Sequence, residues 1–131
     1  MAPVASSLIS YQFEQRLDAY HSPYNVYKLY FNNNLVGHIA FWEHKTSITI
    51  AMILVDLKYQ NMGLGRQLVL KMLEYADERG KTLLTGSLTG SGTELFRSMA
   101  NAEMIKIRMP IPEEQWKDQY FQETMLVVSS I

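Results

Sequence analysis

Apolar side chains recur along this chain with two different periods, and the change from one to the other marks out most of its elements. Tyr24 to Phe31 is dense in aromatic and branched residues, as strands are. Asn32-Asn33-Asn34 follows, and asparagine tolerates positive φ, so a tight hairpin turn is predicted, with Leu35 to Trp42 returning as the paired strand. After a second turn near Glu43 to Lys45, Ser47 to Val55 is almost continuously apolar, the pattern of a strand buried on both faces. The period then lengthens. Leu64, Leu68, Met72 and Ala76 recur every four residues, reinforced by Val69 and Leu73, while Arg66, Lys71, Glu74 and Glu78 take the other side. That spacing predicts an amphipathic helix from Gly63 to Arg79, ended by Gly80.

Beyond Gly80, Thr82 to Leu88 reads as a short strand, and a helix between two strands implies a parallel pair. Thr89-Gly90-Ser91-Gly92 reads as a loop, with Ser91 and Glu94 fitting a capping box for a helix from Thr93 to about Ala102. Met104 to Met109 alternates as a strand, and Pro110 and Pro112 interrupt it. Trp116 to Tyr120 reads as a short helical turn and Glu123 to Val128 as a closing strand. At the start, Leu8 to Tyr20 supports two readings: Leu8, Tyr11 and Phe13 line a strand, whereas Phe13, Leu17 and Tyr20 suit a helix face. The sum is a mixed α/β layer structure, a central sheet flanked by helices. No repeat, linker or low-complexity stretch divides it, so residues 1–131 are expected to form a single domain.

Composition narrows the partners. The formal net charge is −1, with acidic and basic residues intermixed and no basic face that would serve nucleic acid. There is no cysteine, hence no disulfide, thiolate metal site or cysteine nucleophile. His21, His38 and His44 are scattered and lack metal-ligand spacing. No apolar run approaches the roughly 20 residues that span a bilayer, and residues 1–10 lack the build of a secretory signal. The expectation is a soluble cytoplasmic protein that uses neither membrane nor nucleic acid.

The chemistry gathers between the apolar strand and the long helix, at Gln60-Asn61-Met62-Gly63-Leu64-Gly65. With no side chain at Gly63 or Gly65, backbone N–H groups at a helix N-terminus are accessible, an arrangement suited to phosphate. The dinucleotide fingerprint does not fit, because its third glycine would fall at Leu68, and no G-K-[ST] of a P-loop exists. Val55, Gln60, the two glycines, and Leu95-Phe96 ahead of Met104-Ile105 together resemble the GNAT superfamily of N-acetyltransferases over roughly Ile48 to Ile107.

This resemblance implies an acyl-CoA N-acyltransferase fold with acetyl-CoA as co-substrate. Amides of Asn61, Met62, Gly63, Leu64, Gly65 and Arg66, with Gln60 opening the loop, are expected at the pyrophosphate. Main-chain groups along Ile53, Leu54 and Val55 are expected at the pantetheine arm, between strands that splay apart. The implied reaction is direct attack of an amine on the thioester, the acceptor being a lysine, a protein N-terminus or a small amine. The acceptor side is short, so a second chain, as in a homodimer, is one way to complete the cleft.

The family's usual catalytic groups are not where the pattern puts them. Phe96 stands at the position of the tyrosine that protonates the leaving thiolate, and no ionisable side chain lies between Ser47 and Val55. Glu43 and His44, just before the motif strand, and Ser91 are the substitute candidates. His38, Asp56, Tyr24, Tyr27 and Tyr30 rank behind them: His38 reads first as a packing residue, Asp56 as the start of the loop and the tyrosines as core. The competing reading is a GNAT-like module that binds CoA or a protein without catalysis.

Overall fold

The structure, a computed structural model, describes residues 8–86, 90–108 and 126–131, and the backbone alone at Gly90, Ser91 and Thr93. Its strands are β1 (Ile9–Leu17), β2 (Pro23–Phe31), β3 (Asn34–Glu43), β4 (Ser47–Val55), β5 (Thr82–Thr85), β6 (Ile105–Arg108) and β7 (Val127–Ser130). Two α-helices, α1 (Leu64–Arg79) and α2 (Gly90–Asn101), and a short 3-10 helix at Leu57–Tyr59 complete the described elements. The strands form one sheet in the order β1-β2-β3-β4-β5-β7-β6. β1 to β4 run as an antiparallel meander, β4 and β5 are parallel across α1, and β7 lies antiparallel between β5 and β6. This is the mixed sheet with helices that the sequence implies.

Local chemistry sets the turns. Asn32 and Asn33 both adopt positive φ, 49° and 68°, which gives the two-residue β2–β3 turn a twist matching its strands. The ambiguous segment after Leu8 is a strand. Its alternation wins because Tyr11 and Phe13 set their rings edge-on against Tyr27 on β2, at 6.4 and 5.3 Å between centroids. The Asp18 carboxylate then accepts the N–H groups of Tyr20 and Ser22, at 2.8 and 2.9 Å, and reverses the chain before a helix can propagate.

α1 buries Leu64, Leu68, Val69, Met72, Leu73, Tyr75 and Ala76, and ends at Gly80 with positive φ. Both helices feed one core with Leu29, Ile39, Phe41, Ile48 and Ile50, through residues such as Met72 and Phe96. No described helix covers the opposite face of the sheet.

That one-sided arrangement corrects the reading of β4 as buried on both faces. Ile48 and Ile50 are buried, but Met52 and Leu54 are 54% and 48% exposed. The cause is direction: Met52 and Leu54 point to the uncovered face. β5 spans Thr82–Thr85, and the end of the expected strand, at Leu88, lies outside the described residues. α2 begins at Gly90, so Ser91 falls in its first turn rather than before it. β7 extends to Ser130, and the readings for Pro110, Pro112, Trp116–Tyr120 and Glu123 lie outside the described residues.

Candidate active site

β4 changes character halfway along. Ser47 to Ile50 pair with Thr82 to Thr85, and the Gly86 N–H closes that ladder on the Ile50 carbonyl at 2.7 Å. Register against β3 then slips by one residue at Ala51, a bulge that bends the strand away. Past it, β4 keeps β3 as its neighbour, and no described strand pairs its other edge.

The direction of the freed groups follows from the ladder. Asp56 donates its N–H to the Val36 carbonyl at 2.8 Å. In antiparallel pairing, facing alternates with each residue, so Leu54 and Met52 also turn their polar groups toward β3. Ile53 and Val55 therefore aim their N–H and C=O groups outward, into an opening in the middle of the sheet. The Val55 carbonyl accepts the Gln60 side-chain amide there, at 3.0 Å.

A loop rich in left-handed backbone carries the chain from this opening to α1. Asn61 and Gly63 hold φ of 64° and 81°, and Gly63 is the N-cap. No side chain caps the helix and no acidic residue occupies its first turn. The first intrahelical bond is Gln67 N–H to the Gly63 carbonyl, at 3.1 Å. The N–H groups of Leu64, Gly65 and Arg66 precede it and lack helical acceptors, and the helix dipole adds partial positive charge where they point.

The β4 opening, this loop and α2 enclose a cleft of about 840 Å³, within the range of pockets that hold sizeable small molecules. Arg66 reaches across it, donating to Ser98 Oγ at 3.3 Å and to the Met104 sulfur at 3.7 Å. Gly65 faces α2, where a Cβ would make an ordinary contact with the Leu95 side chain at 3.5 Å.

Of the residues expected at a cofactor, Ile53, Val55 and Gln60 to Arg66 all line this cleft, whereas Leu54 points to the other face of the sheet and does not. The sequence reading missed Tyr59, Gln67, Ser98 and Met104, which also line it. Only the Arg66–Ser98 spacing, seen once α2 is docked, brings the last two in.

The substitute catalytic candidates are placed elsewhere. Glu43 pairs with Ile48 at the start of β4 and joins the last turn of α1. It accepts hydrogen bonds from the Tyr75 hydroxyl and from Lys81 Nζ, the latter at 2.8 Å, and Arg79 lies 3.5 Å away. Burial alone would raise the Glu43 pKa, but those donors and charges hold it below the usual carboxylate value. Tyr75, buried and donating to Glu43, is pushed above the usual phenol range. An offset of ten positions along α1 from Gly65 to Tyr75 sets this cluster about 15 Å from the glycine loop. His44 is exposed in the turn, its N–H on the Ser47 carbonyl. The Ser91 side chain lies outside the described residues.

His38 stands across from Leu54 on the uncovered face, and desolvation, then the nearby Arg16 charge, lowers its pKa while Asp56 opposes. Tyr24 rests against Trp42, whereas Tyr27 belongs to the core. Phe96 is fully buried at the cleft floor.

These features define the protein's class. The acetyltransferase (GNAT) family model matches residues 3–89, most of the chain, and the chain belongs to that family. No curated protein matches the sequence itself. Among solved structures, a GNAT family acetyltransferase from Elizabethkingia anophelis with acetyl-CoA bound is 15% identical, with a TM-score of 0.58 over 95% of this chain and 99% of its own. The IAA acetyltransferase from Bacillus cereus is 13% identical, at 0.58 over 93% of this chain and 100% of that one. N-acetylglutamate synthase from Neisseria gonorrhoeae, complexed with coenzyme A and L-arginine, is 17% identical, at 0.56 over 81% of this chain but 24% of that one. At these identities the likeness is one of fold. No described helix is long and apolar enough to cross a membrane.

Proposed function

We propose that this protein is an N-acetyltransferase that takes acetyl-CoA as co-substrate and passes the acetyl group to an amine, on a lysine, a protein N-terminus or a small molecule. The observation that carries this reading is the continuity of two unsatisfied backbone surfaces. The outward groups of Ile53 and Val55 run into the free N–H groups of Leu64, Gly65 and Arg66, along one cleft. A linear molecule with amides at one end and phosphates at the other matches both. The chain's residues fit that molecule: Gly63 leaves the amides uncovered, and no carboxylate lines the cleft among the described residues to repel phosphate.

The co-substrate supplies an activated thioester carbonyl. The residues of the chain supply position and charge. Ile53 N–H, aimed into the opening beside the bulge, is placed to donate to the carbonyl oxygen as negative charge develops on it. Val55 and the loop amides fix the rest of the molecule, which brings the carbonyl to an incoming amine in one orientation. The amine nitrogen bonds to the carbonyl carbon, the carbon–sulfur bond breaks, and the sulfur leaves as thiolate. The ionisable side chains lining the described cleft are Tyr59 and Arg66 alone. No carboxylate or imidazole lines the described cleft to act as base, so the amine enters unprotonated and its surplus proton goes to water.

Calorimetric titration of acetyl-CoA tests the site, with Gly63→Glu as control. Micromolar binding lost in the variant is expected, because a carboxylate would enter the phosphate position at a residue of positive φ. Mass spectrometry after incubation with a panel of amines then tests transfer. An absence of binding in the wild-type protein would refute the reading.

A further inference from the structure

The sheet has a second open edge, three strands from the cleft. β1 is nine residues long and has a single described neighbour, β2, paired without a register shift. Natural edges of this length carry charged side chains, above all lysine, a proline, a bulge or a covering segment to prevent pairing, and the charges on β1 are the opposite pair Glu14 and Arg16. β1 has no proline, glycine or lysine in Ile-Ser-Tyr-Gln-Phe-Glu-Gln-Arg-Leu.

Its free groups can be assigned. Asn32 donates its N–H to the Leu8 carbonyl at 2.9 Å, so the residues two, four, six and eight further along face β2: Ser10, Gln12, Glu14 and Arg16. Ile9, Tyr11, Phe13, Gln15 and Leu17 turn their N–H and C=O groups outward. Two of these side chains are large, apolar and uncovered, Phe13 at 47% and Leu17 at 61% exposure.

We propose that this edge pairs with a second copy of the chain, antiparallel about a two-fold axis through Gln15, to form a dimer with one continuous sheet. The segment Phe13-Glu14-Gln15-Arg16-Leu17 is complementary to its own reverse. In this register Phe13 of each copy lies beside Leu17 of the other, which covers both exposed side chains. Glu14 lies beside Arg16 of the other copy, on both sides of the axis, and Gln15 meets Gln15. Cross-strand apolar and opposite-charge pairs are the favourable kinds, and a two-fold antiparallel edge is isologous and closes.

The neighbouring registers that keep the faces matched are poorer. Moving the axis to Glu14 sets two carboxylates opposite each other. Moving it to Phe13 places Glu14 beside Gln12 and Arg16 beside Ser10, and no charge is then matched. Glu14 already accepts from Arg16 and Lys28 within its own chain, at 3.0 and 2.9 Å, so the carboxylate is held on the uncovered face where the second arginine arrives.

Sedimentation velocity over micromolar to millimolar chain tests the dimer, which should grow with concentration. Arg16→Glu places like charges across the axis, and should weaken dimerisation by about tenfold or more while the circular dichroism spectrum stays unchanged. The natural chain has no cysteine, so single replacements report register directly. Gln15→Cys should give a covalent dimer with a short bifunctional thiol cross-linker, since directly opposed residues of a hydrogen-bonded pair lie about 5.5 Å apart, and Ser10→Cys should stay monomeric on denaturing gels. A chain that remains monomeric throughout overturns the proposal. So does a dimer that Arg16→Glu leaves at the same affinity, or one that Gln15→Cys fails to cross-link.

Discussion

Gly86 and Ile50 meet where two strands part: the Gly86 N–H binds the Ile50 carbonyl at 2.7 Å, and a Cβ on Gly86 would lie 2.7 Å from that same oxygen. This contact is the vertex of the opening between β4 and β5. A side chain there must push the backbones apart at the one point that fixes the angle between them. Gly86→Ala is therefore expected to cost about 1–3 kcal/mol of stability, as overpacking does, and to weaken acetyl-CoA binding as well. Urea denaturation and calorimetry on the same sample check both.

Gly37 guards the other side of β4, and its missing Cβ would sit 2.5 Å from the Leu54 carbonyl oxygen. Gly37→Ala should destabilise by a similar amount. Gly65→Ala is the contrast. Its Cβ would touch the flexible Leu95 side chain at 3.5 Å, an ordinary contact, and helical alanine is favoured over glycine. Its thermal midpoint should stay the same or rise. A fall comparable to that of Gly37→Ala would refute this account of which glycines are sterically required.

Arg66 is a cation at the N-terminus of a helix, a position the dipole disfavours, and its hydrogen-bond partners are the neutral Ser98 and Met104. An anionic ligand in the cleft would relieve that arrangement. Arg66→Gln should weaken acetyl-CoA binding about tenfold, roughly 1.4 kcal/mol, and reduce its sensitivity to salt. Calorimetry at two ionic strengths reads both effects. An unchanged dissociation constant would take the guanidinium out of the binding account.

With no imidazole or carboxylate lining the described cleft, the pH–rate profile should follow the acceptor. Turnover per amine should rise with pH toward the acceptor's own pKa, about 8 for a protein N-terminus and above 10 for lysine. A plateau beginning near pH 6.5, the same for every acceptor, would reveal a protein base instead.

His38 gives stability its own pH dependence. Its folded pKa lies below 6.5, chiefly through desolvation, so the unfolded chain binds a proton more readily than the folded one. Stability is then full above about pH 6.5 and declines as the pH falls toward the folded value. Arg16 reinforces the depression and Asp56 opposes it, and the Glu14 and Glu43 carboxylates, both held low, act in a more acidic range. His38→Gln should flatten the denaturation midpoint between about pH 7 and pH 5. The wild-type slope surviving in that variant would place its origin at another residue.

Much of this was legible before folding was considered. The glycine loop, the four-residue period of α1 and the asparagine turn are local signals, and local chemistry produced them. The uncovered side of β4 was not legible. Its apolar run from Ile48 to Val55 is the same whether a helix covers both faces or one, and only the placement of α1 and α2 together decides that. Leu54 was misplaced for the same reason, since one residue of alternation separates the cleft from the opposite face. Glu43 depended on a contact across the sheet, where Tyr75 and Lys81 arrive from 32 and 38 positions later in the chain. No spacing rule reaches that far. Ser98 and Met104 entered the cleft through the docking of α2.

The opening in β4 and the edge of β1 offer the same backbone chemistry, yet they cannot accept the same guests. At β1 nothing described stands beside the edge, and a whole strand with its side chains has room to lie down. In mid-sheet, α1 and α2 wall the gap, with Gly65 against Leu95 at its back. Side chains on the helix face of an entering strand would meet α1 and α2 there, whereas an unbranched chain of amides has none to place. The two edges thus differ in what stands beside them and not in the backbone groups they present.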